Sequence, residues 1–95
     1  MIEGTTRSGY AFTVDEGIGN DFRVLEAIAD ADSGDESEKL RGTVNLVRLM
    51  LGDGGKRALY KHLEAIHGSV PIDAVIGEVT EILTIARDRS KTIKN

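Results

Sequence analysis

The sequence predicts a mainly α-helical domain, a small bundle of about four helices with a short N-terminal β-strand. Three observations predict it. Apolar residues recur at three- and four-residue spacing along most of the chain, the polar breaks between these segments are short, and aromatic residues make up only 4% of the total. A core with so few rings must be built from aliphatic side chains. At 95 residues the chain provides for one hydrophobic core, so we expect a single domain over residues 1–95.

Composition and charge narrow the classes of function. The chain has 16 acidic and 12 basic residues, and its net charge of −4 opposes the phosphate backbone of nucleic acids. It contains no cysteine, which excludes disulfides and thiolate metal sites and is compatible with a reducing compartment. No apolar run approaches the roughly 20 residues of a membrane span, and the start lacks the pattern of a secretory signal. We therefore expect a cytoplasmic protein without a membrane or nucleic-acid partner.

The N-terminal segment, residues 1–19, is predicted to be extended. Tyr10, Phe12 and Val14 alternate with smaller or polar residues, which is the period of a β-strand with one apolar face. Glycines at positions 17 and 19 end this pattern. The apolar face has two possible uses: it packs on the chain's own bundle, or the strand pairs with another chain. Tyr10, Phe12 and Val14 are therefore candidate partner-binding residues.

The predicted bundle occupies residues 20–90. Its first helix covers residues 21–31, where the apolar residues at helical spacing are Phe22, Val24, Leu25, Ile28 and Ala29. The second helix is expected over residues 36–51, because Asp35 followed by Glu38 has the spacing of a capping box.

The second helix is apolar nearly all round. Leu46, Leu49 and Met50 extend its apolar surface beyond one stripe. Such a helix is either enclosed by its own core or held against a partner, because water would otherwise contact a broad apolar face. These three residues are candidate partner-binding residues, with core packing as the alternative.

Two further helices complete the bundle. Gly52 is expected to end the second helix and a third follows over residues 54–66, since glycine is favoured at helix C-termini. The fourth begins beside Pro71, which is favoured in a first helical turn. Its apolar stripe consists of Ile72, Val75, Ile76, Val79, Ile82, Leu83 and Ala86. Residues 91–95 are expected to form a polar tail.

We find no pattern of a catalytic, cofactor-binding or metal site. His62 and His67 lie about 140° apart around a helix and cannot share one ion, so His62 is expected to be a surface residue. The acidic residues between positions 30 and 38 do not follow the spacing of a calcium loop. The glycines at positions 52–55 do not form a phosphate loop, because they follow a helix and lack its sequence pattern.

One alternative favours nucleic acid. The second and third helices, joined by a short glycine-containing break, have the order of a helix-turn-helix, and the third carries Lys56, Arg57 and Lys61. This arrangement would make the chain a small DNA-binding regulator. The acidic net charge and the absence of Asn and Gln from the third helix oppose it.

The order of these features resembles a known family, the small tail assembly chaperones of long-tailed bacteriophages and prophages. The resemblance spans nearly the whole chain and rests on four stretches: TTRSGYAFTVDE, NDFRVLEAIADAD, LVRLMLGDGGKRALYKHLEAIHGSVP and IDAVIGEVTEIL. The third stretch is the most specific.

The resemblance implies a non-enzymatic helical protein of the bacterial host cytoplasm. It implies binding to the tape measure protein, recruitment of tail tube subunits and absence from the finished particle. Self-association is also possible in such a protein, and no cofactor is expected.

Overall fold

The computed structural model describes the backbone of residues 1–94 and the side chains of residues 1–89. The strands are β1 (Ile2–Thr5) and β2 (Ala11–Val14), followed by a short 3-10 turn (Ile18–Asn20). The helices are α1 (Phe22–Ala31), α2 (Glu36–His67) and α3 (Ile72–Lys94). The predicted mainly helical class is confirmed. No helix in this part of the chain is long and apolar enough to cross a bilayer.

The predicted number of helices is wrong. Over residues 1–94 the structure has three, because α2 includes both the second and the third predicted helix. Gly52 lies within α2 and has φ 74° and ψ 173°, which is not a helical conformation. The predicted break therefore exists as a kink at one residue, with no connecting segment that would separate two helices.

The N-terminal strand belongs to a β-hairpin. β1 pairs antiparallel with β2, and the register places Ile2 opposite Val14 and Gly4 opposite Phe12. The sequence predicts only the second strand, since the first has a single large apolar residue and no alternating pattern. Gly4 is needed in the pair, because a Cβ atom there would lie 2.7 Å from the ring of Phe12.

Side-chain caps define where two helices begin. The Asp21 carboxylate accepts hydrogen bonds from the Arg23 guanidinium and from the Arg23 backbone N–H, and these bonds lower the pKa of Asp21. Asp35 Oδ1 accepts from the Glu38 N–H at 3.0 Å, which confirms half of the predicted capping box. Glu38 Oε1 accepts instead from the Ser33 hydroxyl at 2.7 Å, so the reciprocal half involves a different donor.

One hydrophobic core contains side chains from the hairpin and all three helices. Its fully buried large members are Leu59, Leu63, Ile82, Val14, Val24, Val47 and Val79. The core is aliphatic, apart from Tyr10 and Phe12, which both come from the hairpin turn and β2. The hairpin therefore supplies the only aromatic rings buried among residues 1–89.

The buried face of α1 differs from the simplest version of its pattern. Val24 and Ala27 are buried, whereas Phe22 is 76% exposed and Leu25 is 44% exposed. Helical spacing alone does not distinguish these faces, because each contains apolar residues three or four positions apart. The structure thus leaves part of the apolar surface of α1 uncovered.

The predicted polar tail is helical where the backbone is described. α3 continues to Lys94, so residues 91–94 extend the last helix. The side chains of residues 90–95 and all of Asn95 lie outside the described part of the chain.

Candidate functional site

An open groove lies between the C-terminal part of α1, the first half of α2 and α3. Its volume is about 580 Å³. Its apolar lining consists of Ile28, Ala31, Leu46, Ile76, Val79 and Leu83. All three helices contribute, so the groove exists only in the folded chain.

Charged side chains of both signs line the same groove. Asp32 and Lys39 come from its α1–α2 side, and Asp73 and Arg87 come from α3. Among the residues that the structure describes, none of the four side chains forms an ion pair with another residue. These charges remain available to a molecule that enters the groove.

Two close contacts position the walls of the groove. At Gly42 in α2, a Cβ atom would lie 2.4 Å from the Ala31 nitrogen and 2.5 Å from the Asp30 Cβ, so glycine lets α1 approach α2. At Gly19, a Cβ atom would lie 2.9 Å from Arg87 Cγ, which shows how closely the 3-10 turn packs against α3. The N-terminal connection of α1 is therefore held against the C-terminal half of α3.

The exposed apolar face of α1 adjoins the groove. Leu25 precedes Ile28 by three residues and lies on the same side of the helix, one turn earlier. Phe22 precedes Leu25 by another three residues. The apolar surface thus extends from the groove lining at Ile28 along α1 to its first residue.

A second candidate site is a polar cluster beneath the turn of the β-hairpin. Glu78 in α3 is only 7% exposed, and its Oε1 accepts hydrogen bonds from Thr6 Oγ1 at 2.8 Å and Ser8 Oγ at 3.0 Å. Ser8 Oγ also lies 3.0 Å from Nε2 of His62 in α2. The Arg7 N–H donates to Glu81 Oε2 at 2.9 Å. Both helices therefore contact the turn.

The proton positions in this cluster decide what chemistry it supports. The Ser8 hydroxyl has one proton, and when it donates that proton to the Glu78 carboxylate, the bond between Ser8 and His62 needs His62 Nε2 as its donor. In this arrangement His62 is not a base for Ser8, as nucleophilic catalysis would need. The geometry instead attaches the turn to α2 and α3.

Tyr10 extends this attachment. Its hydroxyl donates to the Gly55 carbonyl oxygen at 3.1 Å, and its ring centroid lies 5.7 Å from that of His62. Burial raises the pKa of Tyr10, and the nearby Glu78 carboxylate raises it further. The expectation of a surface His62 is correct only in part, because this residue is half-buried against the hairpin.

The structure places most of the predicted partner-binding residues in the core. Tyr10, Phe12, Val14, Leu46 and Met50 are buried, and Leu49 is partly buried against the same core. The sequence analysis left two uses open for these residues, partner binding and core packing, and within this chain they pack in the core. Direct contact with a partner would need side-chain surface that these buried residues do not expose.

The polar cluster was not predicted from the sequence, although one signal was present. Glu78 lies three residues after Val75 and four before Ile82, so an acidic residue occupies the apolar face of α3. A carboxylate at such a position needs hydrogen-bond donors from another element. Nothing in the local pattern identifies Thr6 and Ser8, at least 70 positions away, as those donors.

No three His, Asp or Glu side chains gather as a metal site would need within the described residues. Comparisons with protein-family models, curated proteins and solved structures found no match to this chain.

Proposed function

We propose that this chain is a non-enzymatic tail assembly chaperone of a long-tailed phage or prophage. It binds the tape measure protein in the bacterial host cytoplasm and helps recruit tail tube subunits. The identity of the partners rests on the resemblance of the sequence. The observation that supports a binding function is the groove between α1, α2 and α3, together with the exposed apolar face of α1.

The apolar surface fits a binding role better than a purely structural one. Scattered exposed apolar residues are normal, but contiguous ones are typical of sites that bind another protein. Phe22 and Leu25 adjoin the groove through Ile28, so they continue an apolar surface that already has a concave part. A partner that covers both would bury more apolar area than the groove alone offers.

The dimensions of the groove suit an amphipathic helix. Asp73 and Arg87, which both line it, are 14 residues apart on α3, which corresponds to about 21 Å or four helical turns. An amphipathic helix of that length would place its apolar stripe on Ile28, Ala31 and Ile76, the apolar residues of the groove lining that are only partly buried.

The unpaired charges give the partner helix a direction. A basic residue near Asp73 and an acidic residue near Arg87 would complement the two ends of the groove wall. We therefore propose that the tape measure segment has opposite charges near its two ends, separated by about four turns. Binding of this kind consumes no nucleotide.

Co-expression with the tape measure protein tests this function. The double variant Phe22→Ser and Leu25→Ser removes the exposed apolar face of α1 and leaves the core unchanged. A matched control is Ile66→Ser with Val70→Ser, because these residues are also exposed but lie near the junction of α2 and α3. We expect the wild type and the control to give a soluble complex and the α1 variant to lose it.

Two results would contradict the proposal. In the first, the tape measure protein stays insoluble and unbound when the wild-type chain is present. In the second, both double variants bind as well as the wild type, which would exclude the α1 face.

A titration with duplex DNA at rising salt tests the alternative of a small prophage DNA-binding regulator, since specific binding to DNA weakens steeply as salt increases.

A further inference from the structure

The direction of α2 changes at one residue. Gly52 has φ 74° and ψ 173°, a region of backbone conformation that is essentially restricted to glycine. A Cβ atom added there would meet no atom within 4 Å. The kink therefore depends on the backbone conformation of Gly52, and no packing contact at this position excludes a side chain.

The hairpin turn, which precedes Gly52 in the chain, forms hydrogen bonds with residues that follow Gly52. Residues 1–51 contain the hairpin turn, and residues 53–94 contain the groups that it contacts. Three of these contacts are Thr6 with Glu78, Ser8 with His62, and Tyr10 with Gly55. In every case one partner precedes the kink and the other follows it.

We infer that Gly52 is the hinge of a domain exchange between two copies of this chain. When Gly52 adopts helical φ and ψ, α2 becomes one straight helix of 32 residues, about 48 Å long. Residues 53–94 then leave their own hairpin and dock on the hairpin of a second copy. Because the partner is identical, the hydrogen bonds and packing that break within one chain form again between the two chains.

The inference is independent of the proposed function, since it rests on the kink and the hairpin contacts. The two forms share the same core and differ mainly at the hinge. Glycine favours the closed monomer because it adopts the kink without strain. An L-residue with a side chain at position 52 disfavours the kink by about 10- to 100-fold. Because two hinges straighten in each dimer, the dimerisation constant rises by about 100- to 10,000-fold.

The test compares three variants of the kink. Gly52→Ala strains the kink and favours a straight helix. Gly54→Ala raises helix propensity in the same segment, but its φ is not positive and its Cβ position is open, so it is the matched control. A chemically synthesised chain with D-alanine at position 52 fits a positive φ and retains the kink. Light scattering after size-exclusion chromatography measures the mass, with 10.3 kDa for one chain.

We expect Gly52→Ala to have twice the mass of one chain, and the other two variants to remain monomeric at the same concentration. Cysteine cross-linking then distinguishes exchange from ordinary association. The chain has no cysteine, so Ser8→Cys and His62→Cys are introduced into separate copies of Gly52→Ala and the copies are refolded together. An exchanged dimer places position 8 of one copy beside position 62 of the other, so a short bis-maleimide reagent joins the two chains.

Other results overturn the inference. If Gly52→Ala is a folded monomer, the kink is not the hinge of an exchange. A dimer without the cross-link between positions 8 and 62 shows association without exchange. If Gly52→Ala is unfolded, exchange with a second copy does not relieve the backbone strain at position 52. The wild-type chain, refolded from denaturant at high concentration with the same cysteines, should also give the cross-linked dimer as a minor species.

Discussion

The hairpin side and the α1 side of the molecule are completed in different ways. On the hairpin side, β1 and β2 cover the second half of α2 and α3, and the polar groups of the turn find donors or acceptors there. On the α1 side, the helix packs on the first half of α2, but a groove stays open beside α3 and Phe22 is exposed. The difference is that contacts within the chain cover the first side, whereas the second side leaves apolar surface exposed.

The largest expected effect comes from the core beneath the hairpin. Leu59 lies in α2 between Gly55 and His62, which both contact the hairpin, and its side chain is 0% exposed. Leu59→Ala should lower the free energy of unfolding by about 2 to 5 kcal/mol, because it leaves a cavity. Phe22→Ser on the α1 side should change it by less than about 0.5 kcal/mol. Urea denaturation measures both, and equal losses would remove the contrast between the two sides.

Two glycine-to-alanine substitutions, one of them at the contact between α1 and α2, should change the free energy of unfolding by smaller amounts and in opposite directions. Gly42→Ala places a Cβ atom against the backbone of α1, so we expect a loss of about 1 to 3 kcal/mol. Gly77→Ala lies in α3 with open space around its Cβ position and should stabilise the helix by about 0.5 to 1 kcal/mol. Thermal unfolding followed by circular dichroism compares the two variants. A stabilising Gly42→Ala would show that α1 is not closely packed there.

The polar cluster of the hairpin side can be tested through Glu78. Glu78→Ala removes the acceptor of both the Thr6 and Ser8 hydroxyls and should lower the free energy of unfolding by about 1 to 3 kcal/mol. Glu78→Gln retains an oxygen that accepts both bonds and should lose less. Chemical denaturation gives the values. If alanine and glutamine are equally harmful, the hydroxyl contacts contribute little and the carboxylate charge matters more.

The smallest effect concerns the pH dependence that Tyr10 contributes. Its pKa is raised in the folded state, so its contribution is fully present below the unfolded pKa of about 10 and is lost as the pH rises through the folded value. Tyr10→Phe removes one hydrogen bond and should lower the free energy of unfolding by about 0.5 to 1.5 kcal/mol near neutral pH. Above about pH 10, the free energy of unfolding of the variant should also fall less steeply with pH than that of the wild type. Parallel pH dependences for both proteins would contradict this role of burial.

The start of α2 and the position of its kink could be predicted from local chemistry. The spacing of Asp35 and Glu38 predicts a helix start, and Asp35 caps α2 there. The glycine at position 52 predicts a helix end, and the helical conformation is interrupted at that residue. The number of helices could not be predicted this way. Whether a glycine separates two helices or kinks one depends on how its flanking segments pack on the rest of the chain, which local sequence does not contain.

The candidate site was less accessible from the sequence. The pattern of α1 places Phe22 and Leu25 at helical spacing, but their exposure follows from the way α1 approaches α2 at Gly42. The groove needs α3 at a particular distance from both helices. Periodicity identifies an apolar face, but it does not say whether another element of the chain covers that face.

By itself the sequence determined the helical class, the Asp35 cap of α2, the apolar strand face and the glycine at the kink, because these depend on residues within a few positions of one another. Only the tertiary structure decided that Tyr10, Phe12 and Val14 belong to the core and that Glu78 binds the turn of the hairpin. It also decided which face of α1 remains exposed. These outcomes depend on contacts between distant segments, where burial of one face leaves less apolar surface to cover another.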